Sequence, residues 1–196
     1  YYIRKDSNVI VEYRDLVTNE EISEKVIKQA KVFDSFDVSE DVKEIEGYTL
    51  IERPEVLIGE YSEEEQTKVY KYAKNSQVKV NYLEKDTNAI LAESTIINGY
   101  ETKDYKTKAK QIENYTFVEC ENPKRKMGRE EIVVNYYYAQ NTKVTVNYID
   151  MYTNEILETV VQDGIVGDEY SSKSKEIDNY VLVEKPEQEE VTMQKE

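Results

Sequence analysis

The stretch VTVNYIDMYTNEIL, Val144–Leu157, holds the plan of the whole chain. Val144, Val146 and Tyr148 alternate with Thr145 and Asn147, the two-residue period of a half-buried strand. Thr153 and Asn154 follow. After glycine, Asn best tolerates the positive φ that a tight hairpin needs, so Asn154 is a predicted turn residue. The pattern occurs twice more, as VIVEYRDLVTNEEI at Val9–Ile22 and VKVNYLEKDTNAIL at Val78–Leu91, which makes Asn19 and Asn88 turn residues too. The periods are 69 and 66 residues. Asp15, Glu84 and Asp150 take the same shoulder of each hairpin; the loop lacks an EF-hand ligand pattern, so turn stabilisation is preferred to calcium.

Other markers keep the same phase. IEGYTLIERP (Ile45–Pro54), IENYTFVECENP (Ile112–Pro123) and IDNYVLVEKP (Ile177–Pro186) form a second set. VYKY (Val69–Tyr72) and NYYY (Asn135–Tyr138) form a third, and YAKNSQV and YAQNTKV are matching joints. Recurrence at this length marks a repeat array. The expected domains are a remnant of a preceding repeat with its linker at 1–8, then repeats at 9–75, 76–141 and 142–196, the last without its final strand.

Between the hairpin and the second marker lie polar segments: Val38–Ile45, Asp104–Ile112 and Asp168–Ile177. Val38 and Ile45, Tyr105 and Ile112, and Tyr170 and Ile177 are each seven apart, which one stripe of a two-turn helix would hold. The predicted order is strand, strand, short helix, strand, strand. The expected class is α+β: a tandem array of small modules, each a four-stranded sheet with one short helix, arranged as an elongated rod. An all-β sandwich is the alternative, because Tyr is a strand former and the helical segments are weak.

The ordered set of markers resembles the MucBP (mucin-binding) repeat family of Gram-positive bacterial surface proteins. That family reads roughly V-x-V-x-Y-x-D, T-G, G-x-x-G-x-x-Y, I-x-G-Y-x-L and a closing V-x-Y-x-Y. In Val144–Pro186 the matching residues are Asp150, Thr153, Gly164, Gly167, Tyr170, Ile177, Tyr180 and Leu182. Here T-N replaces T-G throughout, and the G-Y pair stands only as Gly47-Tyr48, becoming Asn114-Tyr115 and Asn179-Tyr180. The resemblance implies a β-grasp-like (ubiquitin-like) fold and an extracellular place on the bacterial cell surface, wall-anchored in the full-length protein. It implies adhesion to host mucin glycans or another host surface glycoprotein. A stalk presenting some other adhesive domain, or a host-protein binding module, are the alternatives.

Composition narrows the chemistry. The chain has 196 residues and a formal charge of −15, which repels nucleic acid and anionic membranes. It has one Cys and no His, so a Ser-His-Asp or Cys-His site and the usual zinc sites cannot be built. An enzyme is not expected, nor a cofactor or metal, and the array is read as a monomer. Charge is uneven: residues 9–77 carry −8, residues 78–143 carry +1 and residues 144–196 carry −9. If mucin sialate or sulfate is the ligand, electrostatics favours the middle repeat and its KRKMGR run. The candidate ligand-binding residues are therefore Lys124, Arg125, Lys126 and Arg129. Tyr137 joins them, because one of three consecutive tyrosines on a strand points away from the core. Most of the 18 Tyr, against 3 Phe, are expected to fill the core.

Overall fold

The computed structural model describes residues 1–195, and all regular structure among them is β. Repeat 1 supplies β1 (Asp6–Asp15), β2 (Glu21–Lys31), β3 (Ser35–Asp37), β4 (Tyr48–Glu52) and β5 (Ile58–Glu60). β6 (Gln66–Glu84) closes repeat 1 and opens repeat 2 without a break. β7 (Ile90–Tyr100), β8 (Asp104–Lys106), β9 (Tyr115–Cys120) and β10 (Lys124–Lys126) follow. β11 (Ile132–Ile149) is a second shared strand, and β12 (Ile156–Ile165), β13 (Glu169–Ser171) and β14 (Glu190–Thr192) complete the list.

Two compact units form, and their limits run through repeat 2. One holds Tyr1–Lys79, Ile96–Lys106 and Lys124–Ile132; the other holds Val80–Thr95, Thr107–Pro123 and the residues from Val133 onward. In the first unit β1 pairs antiparallel with β2 and parallel with β6, from Val9 opposite Gln66 to Asp15 opposite Tyr72. β4 joins β6 antiparallel, with Leu50 opposite Tyr72. Val9, Val11, Tyr13, Phe36, Val38, Tyr61, Tyr70 and Tyr72 make its core. In the second unit β11 pairs antiparallel with β9 and β12. Val80, Tyr82, Val134, Tyr136 and Tyr138 are buried there, and Tyr82 stacks on Tyr136 with ring centroids 5.8 Å apart.

The helix expected in each repeat is absent, which corrects the α+β, β-grasp-like reading to all-β. Residues 38–47 form turns and irregular backbone, while Tyr105 and Tyr170 sit in the short strands β8 and β13. The cause is a set of phenols rising from the sheet. Tyr70 donates to the Val38 carbonyl at 2.5 Å, Tyr13 to Asp41 at 2.6 Å and Tyr72 to Lys43 at 2.8 Å. Tyr138 donates to Lys110 at 2.9 Å and Tyr148 to Lys173 at 2.7 Å. Each phenol takes a carbonyl that a helix would have used itself. A two-turn helix, whose nucleation is costly, does not compete with that. The demand for a hydroxyl on a large apolar ring also accounts for the excess of Tyr over Phe. The seven-residue spacing misled because Val38 and Ile45 do face the core, but along an irregular, non-helical segment.

The turn residues are where the pattern puts them. Asn19, Asn88 and Asn154 have φ of 59°, 57° and 64°. Each hairpin is closed by a hydrogen bond across its four-residue loop, as from Asp15 N to Glu20 O at 2.9 Å. The Gly-Tyr marker changes to Asn-Tyr without altering the backbone, since Gly47, Asn114 and Asn179 have φ of 78°, 62° and 69°. A third such position is occupied by Phe33, Thr102 and Gly167, at 73°, 75° and 96°. A β-branched residue is strained there. Thr102→Gly is expected to stabilise the chain by about 0.5–1 kcal/mol, the released strain being partly offset by glycine's extra unfolded entropy. Urea denaturation measures it, and a loss of stability would show that Thr102 is not strained.

Candidate functional site

The basic run of repeat 2 forms β10, the outer partner of β8. Lys124 lies opposite Lys106, Arg125 opposite Tyr105 and Lys126 opposite Asp104. All three β10 side chains are exposed. Strand alternation puts Lys106, Lys124, Lys126 and Asp104 on one face, and Arg125 on the face of the buried Tyr105. Lys126 Nζ stands 3.4 Å from Asp104 and donates to the Thr102 carbonyl at 3.3 Å. The Lys106–Lys124 juxtaposition is unfavourable in itself, since like charges directly opposite destabilise a strand pair. The corresponding pairs of the other repeats avoid it: Asp37 faces Ile58 in β3–β5, and Ser171 faces Glu190 in β13–β14.

Arg129 is used differently. Its guanidinium pairs with Asp15 and stands 3.7 Å from Glu101, with the Tyr48 hydroxyl also in reach. Asp15 is nearly buried, at 1% exposure. Burial alone would raise its pKa. The amides of Thr18 and Val17 and the Arg129 guanidinium outweigh burial and hold the carboxyl below its ordinary range. Arg129 therefore is not a spare cation for a ligand. Tyr137 lies on β11 opposite Glu119 and points away from Tyr136 and Tyr138, half-buried, with Asn135 Nδ2 at 3.4 Å from its hydroxyl. It belongs to the other compact unit, so the structure does not join it with β10 in one site. Cys120 is half-buried on β9, and burial pushes its thiol up, away from reactivity.

A recurring groove was not anticipated. In repeat 1 a concavity of about 700 Å³ is lined by Val42, Lys43, Ile45, Tyr48, Leu50 and Tyr72. In repeat 2 one of about 540 Å³ is lined by Ala109, Lys110, Ile112, Tyr115, Phe117 and Tyr138. Lys43 Nζ lies 4.2 Å over the Tyr13 ring, and Lys110 Nζ 4.2 Å over the Tyr82 ring. Both ammoniums are tied down, Lys43 to the Glu24 carbonyl at 2.5 Å and Lys110 to that of Glu93 at 2.9 Å. The available signal was a Lys two places before Ile45, Ile112 and Ile177 in all three repeats.

Comparison with known proteins gives the family. The MucBP domain matches residues 8–73, 77–139 and 143–196. Internalin J of Listeria monocytogenes serotype 4b (strain F2365) is 34% identical over 154 residues, covering 74% of this chain and 17% of that protein. Internalin J of Listeria monocytogenes serovar 1/2a (strain ATCC BAA-679 / EGD-e) is 31% identical over 188 residues, covering 91% of this chain and 22% of that protein. The chain thus spans only about a fifth of the length of these relatives. Among solved structures, Mub-RV is similar with a TM-score of 0.29 and 13% identity, covering 66% of this chain and 97% of that one. Domains 3–4 of the Streptococcal High Identity Repeats in Tandem are similar at 0.26 and 8%, covering 67% and 96%. With a domain match three times over almost its whole length, the chain belongs to the MucBP domain family of Gram-positive surface proteins.

Proposed function

We propose that this chain is a non-enzymatic adhesive repeat region, with repeats at 9–75, 76–141 and 142–196, displayed outside a Gram-positive cell in a wall-anchored protein. Its ligands are anionic host mucin glycans, sulfated or sialylated, taken as a monomer at the small sheet of the middle repeat. The observation that supports this reading is the unrelieved cross-strand pair Lys106–Lys124, flanked by Lys126 on the same face and Arg125 on the other. Two ammoniums held side by side weaken the free sheet and fit an ester sulfate or a carboxylate placed between them. Arg129 stays with Asp15 in this reading, and Tyr137 offers a separate, half-buried ring edge for sugar stacking.

The test is binding of the chain to immobilised mucin before and after removal of sulfate and sialate. Single sites of this kind are weak, and dense display raises them through avidity. The paired charge reversal Lys106→Glu with Lys124→Glu is expected to weaken binding about tenfold or more at low salt, with the salt dependence lost as well. Binding that ignores both the glycan's charge and these two lysines would overturn the assignment. A spacer reading is favoured by the uninterrupted 19- and 18-residue strands β6 and β11, and it predicts no binding to any mucin preparation.

A further inference from the structure

A second pattern concerns how one repeat holds the next. Asp15 ends the opening strand of repeat 1 and accepts Arg129, which lies in repeat 2 and 114 residues away. Glu84 ends the opening strand of repeat 2 and accepts Lys195 of repeat 3 at 2.6 Å, 111 residues away. Both acids are buried, at 1% and 5% exposure. Both cations occupy one structural position, two residues after a buried methionine, Met127 or Met193. The marker tyrosine of the receiving repeat stands at each contact: the Tyr48 hydroxyl reaches Arg129 and the Tyr115 hydroxyl reaches Glu84.

Repeat 3 shows the receiving half alone. Asp150 Oδ1 accepts the amides of Tyr152 at 2.7 Å and Thr153 at 3.0 Å, as Asp15 Oδ1 accepts those of Val17 and Thr18 at 2.8 Å. The Tyr180 hydroxyl faces it. Asp150 has no cationic partner among the described residues, and its turn is nevertheless built. The cation is therefore not needed for the hairpin, and its work lies between repeats. In repeat 1 the cation's position, two residues after the buried Tyr61, is Glu63. An acid there does not supply the cation that a receiver such as Asp150 takes, so the first repeat lacks the donating half of this contact.

We propose that the acid closing each opening strand is the receiving half of an electrostatic latch between consecutive repeats, and that Asp150 presents the same receiver to another MucBP module carrying Arg or Lys at the position of Arg129. The latch gives the array an order: acid on the leading repeat, base on the following one. It holds at neutral pH. Against the opposing effect of burial, Asp15 is held below the ordinary carboxylate range by the Thr18 and Val17 amides and then Arg129, and Glu84 by Lys195 and Thr87. Both acids are therefore charged above the unfolded carboxylate pKa, and the coupling is lost as pH falls through the lower folded values. Arg129 faces Asp15, with Glu101 and Tyr48 about the guanidinium; the groups around the Glu84–Lys195 pair are Tyr115, Thr87 and Asp86.

The test is amide exchange in the whole chain, with Arg129→Met. Exchange is expected to speed about tenfold or more on both sides of the contact, at 15–20 and at 127–132, with 150–155 unchanged. Arg129→Lys is expected to restore protection, since Lys195 serves Glu84. In the unaltered chain, raised salt is expected to speed exchange at the Asp15 and Glu84 turns and spare the Asp150 turn. Loosening confined to the Arg129 side, failure of the lysine variant, or equal salt sensitivity of all three turns would each overturn the latch.

Discussion

Truncating Tyr72 to alanine is expected to destabilise the first unit by about 3–5 kcal/mol, the range for losing a large buried aromatic side chain. Tyr72 is 1% exposed and packs in the core with Tyr13 and Tyr70. Its hydroxyl also makes a two-way link to the crossing segment, donating to Lys43 O at 2.8 Å and accepting from Lys43 N at 3.2 Å. Tyr138 repeats this in the second unit, with Lys110 O and Lys110 N both at 2.9 Å. Tyr72→Phe separates the two contributions. It keeps the ring and leaves the Lys43 N–H and carbonyl without that partner, so its expected cost is about 1–3 kcal/mol. Tyr137→Phe, on the outer face, is expected to stay within about 0.5 kcal/mol. Urea denaturation followed by circular dichroism measures all three. A Phe variant as stable as the parent would show that the crossing segment does not depend on the phenol.

The second large effect is alkaline unfolding. Burial raises the pKa of Tyr13, and the Asp41 carboxylate and neighbouring Tyr72 and Tyr70 add to it, pushing it up to about 12. Tyr70, Tyr72, Tyr136 and Tyr138 are raised as well, burial being the first cause for each. A raised folded pKa means that folding favours the neutral phenol. That contribution is intact below the unfolded value of about 10 and lost as pH rises through about 12. Tyrosinate absorbance from these buried rings is therefore expected only well above about pH 10. The buried set then ionises together with a cooperative loss of the β-sheet signal. A single smooth titration of all phenols near pH 10, with the sheet intact, would contradict the burial and bonding described here.

Much of this architecture was legible because three copies make a weak signal strong. One Thr-Asn pair is a modest turn cue; the same pair at Asn19, Asn88 and Asn154 is a rule, and each has positive φ. Strand alternation at Val144, Val146 and Tyr148, and the outward turn of Tyr137 between two buried neighbours, follow from local pleat alone. The crossing segments were misread because their hydrogen-bond partners are distant: Val38 is bonded by Tyr70 and Lys110 by Tyr138, and no periodicity within eight residues encodes that. The site shows the same division. Lys124–Lys126 was visible as a basic run, but its pairing with Lys106 depends on strand register, and the engagement of Arg129 by Asp15 spans 114 residues.

The central claim is that sheet tyrosines hold an irregular, non-helical segment where a helix was expected. Backbone chemical shifts of residues 38–46 and 107–113, read with hydroxyl-proton exchange of Tyr13, Tyr72 and Tyr138, test it most directly. The structure predicts no helical run in either segment and slowly exchanging phenol protons on all three rings. Consecutive helical shifts over 38–45, or phenol protons that exchange as fast as that of Tyr152, would contradict it.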